Sequence, residues 1–176
     1  MRHLLLLRHA KAVSAERGMA DRDRPLTPRG HRDARLIGAA IAADGPPDLV
    51  LCSPSRRTRE TLAGVLEKLA AEPKVVFATG LYEGQGSTYA EAIAAQGDGA
   101  KRLLVIGHNP TIHATALAFA ITGDRARRAA LAAKFPTGAL AVIAIEDDDW
   151  RAIRPGTGEL VSFLRPRDLD ARHADD

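Results

Sequence analysis

Residues 3–11 read HLLLLRHAK. Four consecutive leucines with no polar alternation mark a strand covered on both faces, as in a parallel sheet between helices. The strand runs straight into Arg8, His9 and Lys11, groups that repel one another when charged. Such a mouth calls for an anion among them. The leucine run is too short for the apolar core of a secretory signal, about 7–15 residues, and Arg8 interrupts it. No other stretch approaches the roughly 18 uncharged apolar residues of a membrane span. A soluble, cytoplasmic protein with no membrane partner is therefore expected. The single cysteine, Cys52, allows no internal disulfide, in line with a reducing compartment.

Outward from this strand, apolar runs alternate with helical periodicity, the pattern of a mostly parallel sheet covered by helices. In TPRGHRDARLIGAAIAA, Thr27 is placed to cap a helix with Pro28 at its first position. Leu36, Ile37 and Ile41 recur on one face of that helix. DLVLC (48–52) is a second strand, and SPSRRTRETLAGVLEKLA a second helix with Leu62, Val65, Leu66 and Leu69 as its apolar stripe. KVVFA (74–78) is a short third strand, STYAEAIAAQ a further helix and RLLVIG (102–107) a fourth strand. NPTIHATALAFAIT follows as a helix, with Asn109 as its cap and Pro110 as its first residue. ALAVIAIE (139–146) and ELVSFL (159–164) are later strands, with an edge hairpin near Trp150. No repeat or linker divides the chain, so a single domain is expected over 1–166, with a frayed tail over 167–176.

The 176 residues suffice for a real core, and 45% hydrophobic residues with few aromatics suit a compact α/β protein. The formal net charge is +3. Nucleic acid is not the expected partner, because no basic block is interleaved with aromatics as a stacking groove requires. A small anionic group fits better.

Three strands end in groups of one character: Arg8 and His9 after the first, Ser53, Pro54, Ser55, Arg56 and Arg57 after the second, Gly107, His108 and Asn109 after the fourth. In open α/β sheets ligands bind beyond the carboxyl ends of the strands. If these strands are parallel neighbours, two arginines and two histidines converge, beside helix N-termini that attract anions. Each segment alone is an ordinary loop or cap. Their joint appearance at equivalent places points to a bound phosphoryl group. Arg56 and Arg57 open a helix, where the dipole opposes cations by a few tenths of a kcal/mol, about the size of that effect.

Other candidates are weaker. A cysteine-phosphatase loop would need arginine at position 58, where Thr58 stands, so Cys52 reads as a small buried hydrophobe. GLYEGQGST lacks the Gly-Lys-Ser/Thr ending of a nucleotide-binding loop. His108 and His113 are off the i, i+4 spacing of two metal ligands on a helix, His113 reads as structural, and no metal site is expected. His3, His31 and His173 have no supporting context.

Together, LLRHAKA, SPSRRTRET and VIGHNP resemble the histidine phosphatase superfamily, the branch with a phosphoglycerate-mutase-like fold. The short length, DRDRPLTPRG and the closing GTGELVSFLRPR are most similar to SixA-type phosphohistidine phosphatases. The resemblance covers nearly the whole chain in the same order. It implies a three-layer α/β sandwich, a mostly parallel central sheet with helices on both faces. It implies His9 as nucleophile, and Arg8, Arg57 and the second histidine, His108, as phosphate ligands. Arg56 competes with Arg57 for the second arginine. The motif's usual glycine is Ala10, and Ala12 and Ala15 stand where mutases of the family carry serine and asparagine, which argues against a mutase. Glu83 is the candidate for the family's acidic proton donor.

The implied chemistry is attack by a neutral His9 imidazole on phosphorus, then hydrolysis of the phosphohistidine intermediate, with no cofactor. The expected substrate is phosphohistidine on a protein, whose imidazole leaves readily once protonated. The alternatives are a phosphatase for small phosphate esters and a non-catalytic phosphate- or phosphoprotein-binding module.

Overall fold

The computed structural model describes residues 1–83, 89–97 and 99–170. Among these, seven strands form one sheet in the order β3-β2-β4-β1-β6-β7-β5. Strand β1 (Arg2–Arg8) lies at its centre, between β4 (Arg102–Gly107), which runs parallel to it, and β6 (Leu140–Ile145), which runs antiparallel. Beyond β4 come β2 (Leu49–Cys52) and β3 (Lys74–Phe77), both parallel. On the other side β7 (Gly158–Leu164) pairs antiparallel with β6, and β5 (Ala120–Gly123) pairs parallel with β7. The sheet is mostly parallel, with β6 reversed.

The leucine run explains the layers. Successive strand side chains point to opposite faces. Leu4 and Leu6 join one core with Ile93, Ile112, Phe119 and Leu131, while Leu5 and Leu7 join the other with Ile37, Ile41, Leu62 and Val65. The first face is covered by α4 (Ala90–Gln96), α5 (Thr111–Phe119) and α6 (Arg125–Ala133), the second by α1 (Pro28–Asp44) and α2 (Arg56–Leu66). Each fully buried leucine contributes roughly 1.5–3 kcal/mol of apolar burial, so the sandwich is organised around β1. Thr27 caps α1 as its sequence implies, its side-chain oxygen accepting from Gly30 N–H at 3.0 Å.

Four expectations are corrected. The helix expected over residues 109–122 starts at Thr111 and ends at Phe119. Asn109 does not cap it, because its amide nitrogen instead donates to Phe135 O at 3.0 Å. Residues 120–123 leave the helix to form β5 at one edge of the sheet, so the expected hairpin near Trp150, the antiparallel pair β6–β7, lies one strand in from that edge. The loop between β6 and β7 does pass Trp150, whose fully buried indole donates to Ala100 O at 2.7 Å. Finally, the expected fray does not begin at 167: Pro166–Leu169 form α7, and Leu169 packs against the α1–α2 side of the core. Residues 171–176, including His173, lie outside the described residues, as does the 84–88 part of GLYEGQGST.

Candidate active site

Because β1, β2 and β4 are parallel neighbours, their carboxyl ends open on one edge of the sheet. His9 is held there by backbone bonds on both sides. Its N–H donates to Gly107 O (3.1 Å), and Arg8 N–H donates to Ala139 O (3.1 Å). Gly138 N–H is shared between Arg8 O (3.1 Å) and His9 O (3.0 Å). Gly138 sits at φ +73, and a Cβ there would meet Pro166 Cγ at 2.7 Å, so glycine is required. Below the loop, Ala10 N–H donates to Thr61 Oγ1 of α2 at 3.0 Å.

The strand ends enclose a cavity of about 260 Å³, walled by Arg8, Lys11, Arg24 and Arg57 together with His9 and His108. His9 is 8% exposed, and its Nδ1 lies 2.8 Å from Ala10 O. A carbonyl only accepts, so Nδ1 carries the proton and Nε2 keeps its lone pair. Burial, helped by Arg57, Arg8 and Arg24, pulls the His9 pKa down to about 4. His9 is therefore neutral near pH 7, with a free ring nitrogen.

His108 stands 5.3 Å from His9, ring centre to ring centre, and its Nε2 lies 2.7 Å from Ser53 Oγ. Burial first, then Arg57 and His9, lower its pKa to about 3. Its backbone N–H donates to Tyr89 OH (3.1 Å), which donates to Leu81 O (2.9 Å). Arg8 Nε, Arg57 Nε and His108 Nδ1 are buried without hydrogen-bond partners among the described residues. An unmet buried polar group costs about 1–3 kcal/mol, which an anion's oxygens would relieve.

The two adjacent arginines diverge. Arg57 is 6% exposed and lines the cavity, whereas Arg56 turns outward and pairs with Glu60 at 2.7 Å. Arg57 donates to Asp21 O (2.7 Å) and Asp21 Oδ2 (3.0 Å). Asp21 also accepts from Arg24 (2.9 Å) and Tyr82 OH (3.0 Å), and these donors, Arg24 first, lower its carboxyl to about 2. Asp21 thus ties two cavity cations into one frame. Sequence reasoning missed both Asp21 and Arg24. DRDR (21–24) carried the only signal, an acid three residues before a base. Glu83 ends α3 (Gly80–Glu83), is exposed, and does not line the cavity.

Comparison with known proteins agrees with this arrangement. The model of the histidine phosphatase superfamily, branch 1, matches residues 4–87. The solved SixA protein of Nakamurella multipartitia is 33% identical, with a TM-score of 0.80 over 94% of this chain and 96% of that one. The SixA protein of Agrobacterium tumefaciens is also 33% identical, with a TM-score of 0.78 over 93% and 97% of the two chains. This chain belongs to the histidine phosphatase superfamily. An uncharacterised protein of Mycobacterium tuberculosis, Rv1276c, is 40% identical over 164 residues, covering 92% of this chain and 100% of its own.

The remaining candidates in this histidine phosphatase are structural. Cys52 is fully buried, and burial pushes its thiol up to about 12, so it offers no thiolate near pH 7. His113 Nε2 lies 2.7 Å from Leu131 O and joins α5 to α6. His31 faces Glu60 at 3.6 Å.

The depressed histidines make stability depend on pH. An unfolded histidine titrates near 6.5, while His9 and His108 titrate at about 4 and about 3 in the folded chain. Between these values the unfolded chain binds more protons, so stability falls as pH drops from about 6.5, through about 4 for His9 and about 3 for His108. The slope is at most about 1.4 kcal/mol per group per pH unit. Urea unfolding at pH 7 and pH 5 is expected to show this loss, and His9→Asn or His108→Asn to reduce it. Equal slopes in variant and parent would contradict it.

Proposed function

We propose that this protein hydrolyses phosphohistidine on a protein substrate through a covalent phosphohistidine intermediate at His9. The observation that carries the reading is the neutral, fixed imidazole of His9, with its Nε2 lone pair free inside a cavity walled by four cations. A lone pair there attacks phosphorus and forms an N–P bond. The substrate's own N–P bond breaks, and its electron pair goes to the leaving imidazole, which takes up a proton. Water then attacks the phosphorus on His9, releasing phosphate and restoring the imidazole. Arg8, Arg24 and Arg57 balance the oxygens of the transferring group, which carries its charge through a loose transition state. His108 stands beside His9 to complete the cradle.

The leaving group favours an imidazole over an alkoxide. An alkoxide needs a strong acid on the cavity wall, and Glu83, the sequence candidate, is exposed and off that wall. Protein-borne substrate is supported by the short span between Arg57 and His108. Its described residues fold as α2, β3, α3 and α4, with Leu81 and Ile93 buried in the core. No lid domain is present among the described residues to enclose a metabolite. Two solved SixA relatives carry provisional names as phosphohistidine phosphatases, which points the same way.

The test is a panel of substrates at one pH, with His9→Ala as the blank. The expected result is higher kcat/KM on a phosphohistidine protein or peptide than on matched phosphoserine or sugar phosphates. Vanadate should inhibit competitively, and EDTA should leave the rate unchanged. Preference for a small sugar phosphate would overturn the substrate, and loss of activity with EDTA would overturn the metal-free mechanism.

A further inference from the structure

Beside the His9 cavity lies a second, larger groove of about 340 Å³ to which the proposed chemistry assigns nothing. The two are separated by a single loop, residues 134–138 (KFPTG), and Thr137 lines both. On the cavity side, Phe135 O accepts from Arg8 and from Asn109, each at 3.0 Å, and Gly138 N–H holds the Arg8 and His9 carbonyls. On the groove side the same loop presents Lys134 and Pro136. The opposite walls come from the start of α1, with Arg29 and Asp33, and from the start of α7, with Arg165 and Arg167.

Cations and apolar residues line the groove together. Four cations line it against one carboxylate, that of Asp33, which is 5% exposed and faces Arg29 at 3.5 Å. Asp168 neutralises Arg165 through two bonds of 2.7 and 2.8 Å, and lies 4.0 Å from Arg167. Lys134 is exposed, and no carboxylate pairs with it among the described residues. Ala130, Ala133, Pro136 and Pro166 supply apolar surface between the charges. A cationic groove continuous with the reacting centre raises the local concentration of an anionic partner.

We propose that this groove docks an acidic segment of the substrate protein next to its phosphohistidine, so that the enzyme selects acidic phosphoproteins. The inference rests on the phosphohistidine reading above. It adds that Lys134 and Arg167 set which protein is dephosphorylated, through binding and not through the phosphoryl step.

The test uses synthetic phosphohistidine peptides that differ only in flanking residues, glutamate, serine or lysine, together with free phosphohistidine. The wild-type protein is compared with the double variant Lys134→Glu, Arg167→Glu; both positions are exposed and outside the catalytic cavity. Wild type should prefer the glutamate-flanked over the lysine-flanked peptide by about tenfold or more in kcat/KM, mainly through KM and less at high salt. The double variant should lose or reverse that preference while cleaving free phosphohistidine as before. Equal kcat/KM on all three peptides would overturn the groove, as would an equal loss on free phosphohistidine. Stronger competition by single-stranded RNA than by a glutamate-rich peptide would overturn it too. If wild type cleaves a phosphoester but neither free phosphohistidine nor any peptide, the substrate reading itself fails, and the groove's assignment with it.

Discussion

His9→Ala is expected to reduce turnover to the background rate while leaving the fold and much of the affinity for vanadate in place. His9 sets an unprotonated Nε2, its tautomer fixed by the Nδ1 contact with Ala10 O, among four cations. His108 stands beside it, but its Nε2 is engaged with Ser53 at 2.7 Å. Alanine removes one ring hydrogen bond to Ala10 and leaves the backbone bonds to Gly107 and Gly138 untouched. The arginines that line the cavity also remain. Circular dichroism should therefore be unchanged, and vanadate titration should still show binding. A near-normal kcat in His9→Ala would mean that the phosphoryl group never passes through this residue.

The second large effect is expected at Arg57. Arg57→Ala should lower kcat roughly 10²-fold or more, the scale of losing one electrostatic stabiliser of the transition state. Arg57→Lys should recover only part of this, because an ammonium keeps the charge but cannot hold Asp21 O and Asp21 Oδ2 at once through a planar fork. Arg56→Ala is the internal control. Its guanidinium pairs with Glu60 on the exposed face of α2, so the loss should be small. Steady-state kinetics on the three variants decides the point. A larger loss at Arg56 than at Arg57 would show that the opening of α2 does not present Arg57 to the substrate.

The fold was legible wherever one short segment carried its own instruction. Residues 4–7 had to be buried on both faces, and this placed β1 at the centre of the sheet. Thr27 and Pro28 announced α1 by a capping oxygen and a residue without an N–H. At residues 109–123 local chemistry misled. The apolar run TALAFAIT has no glycine or proline before Gly123, so nothing local separates the end of α5 from β5; pairing with β7 makes the break. Asn109 has the composition of a cap, yet the distant Phe135 carbonyl takes its amide.

The site divides along the same line. Arg8, His9, Arg57 and His108 follow strands or open a helix beside them, so a parallel sheet brings them to one cavity without further information. Asp21 and Arg24 arrive by a different route. Residues 10–27 fold back through bonds from Val13 N–H to Pro25 O (2.9 Å), Thr27 N–H to Lys11 O (2.8 Å) and Leu26 N–H to Glu60 Oε2 (2.7 Å). Those contacts are not encoded by any spacing near Asp21. They decide that a carboxylate bridges the two cavity arginines.

A phosphoryl group carried on His9 can be trapped. Enzyme mixed with a phosphohistidine peptide and quenched in alkali, where a phosphohistidine survives, should show a phosphorylated fraction by intact-mass spectrometry. Peptide mapping should place that group on His9, and the species should disappear in acid and be absent from His9→Ala. A phosphoenzyme mapped to another residue, or turnover at the normal rate with no phosphoenzyme at any quench time in wild type and a His108→Ala variant, would contradict the account.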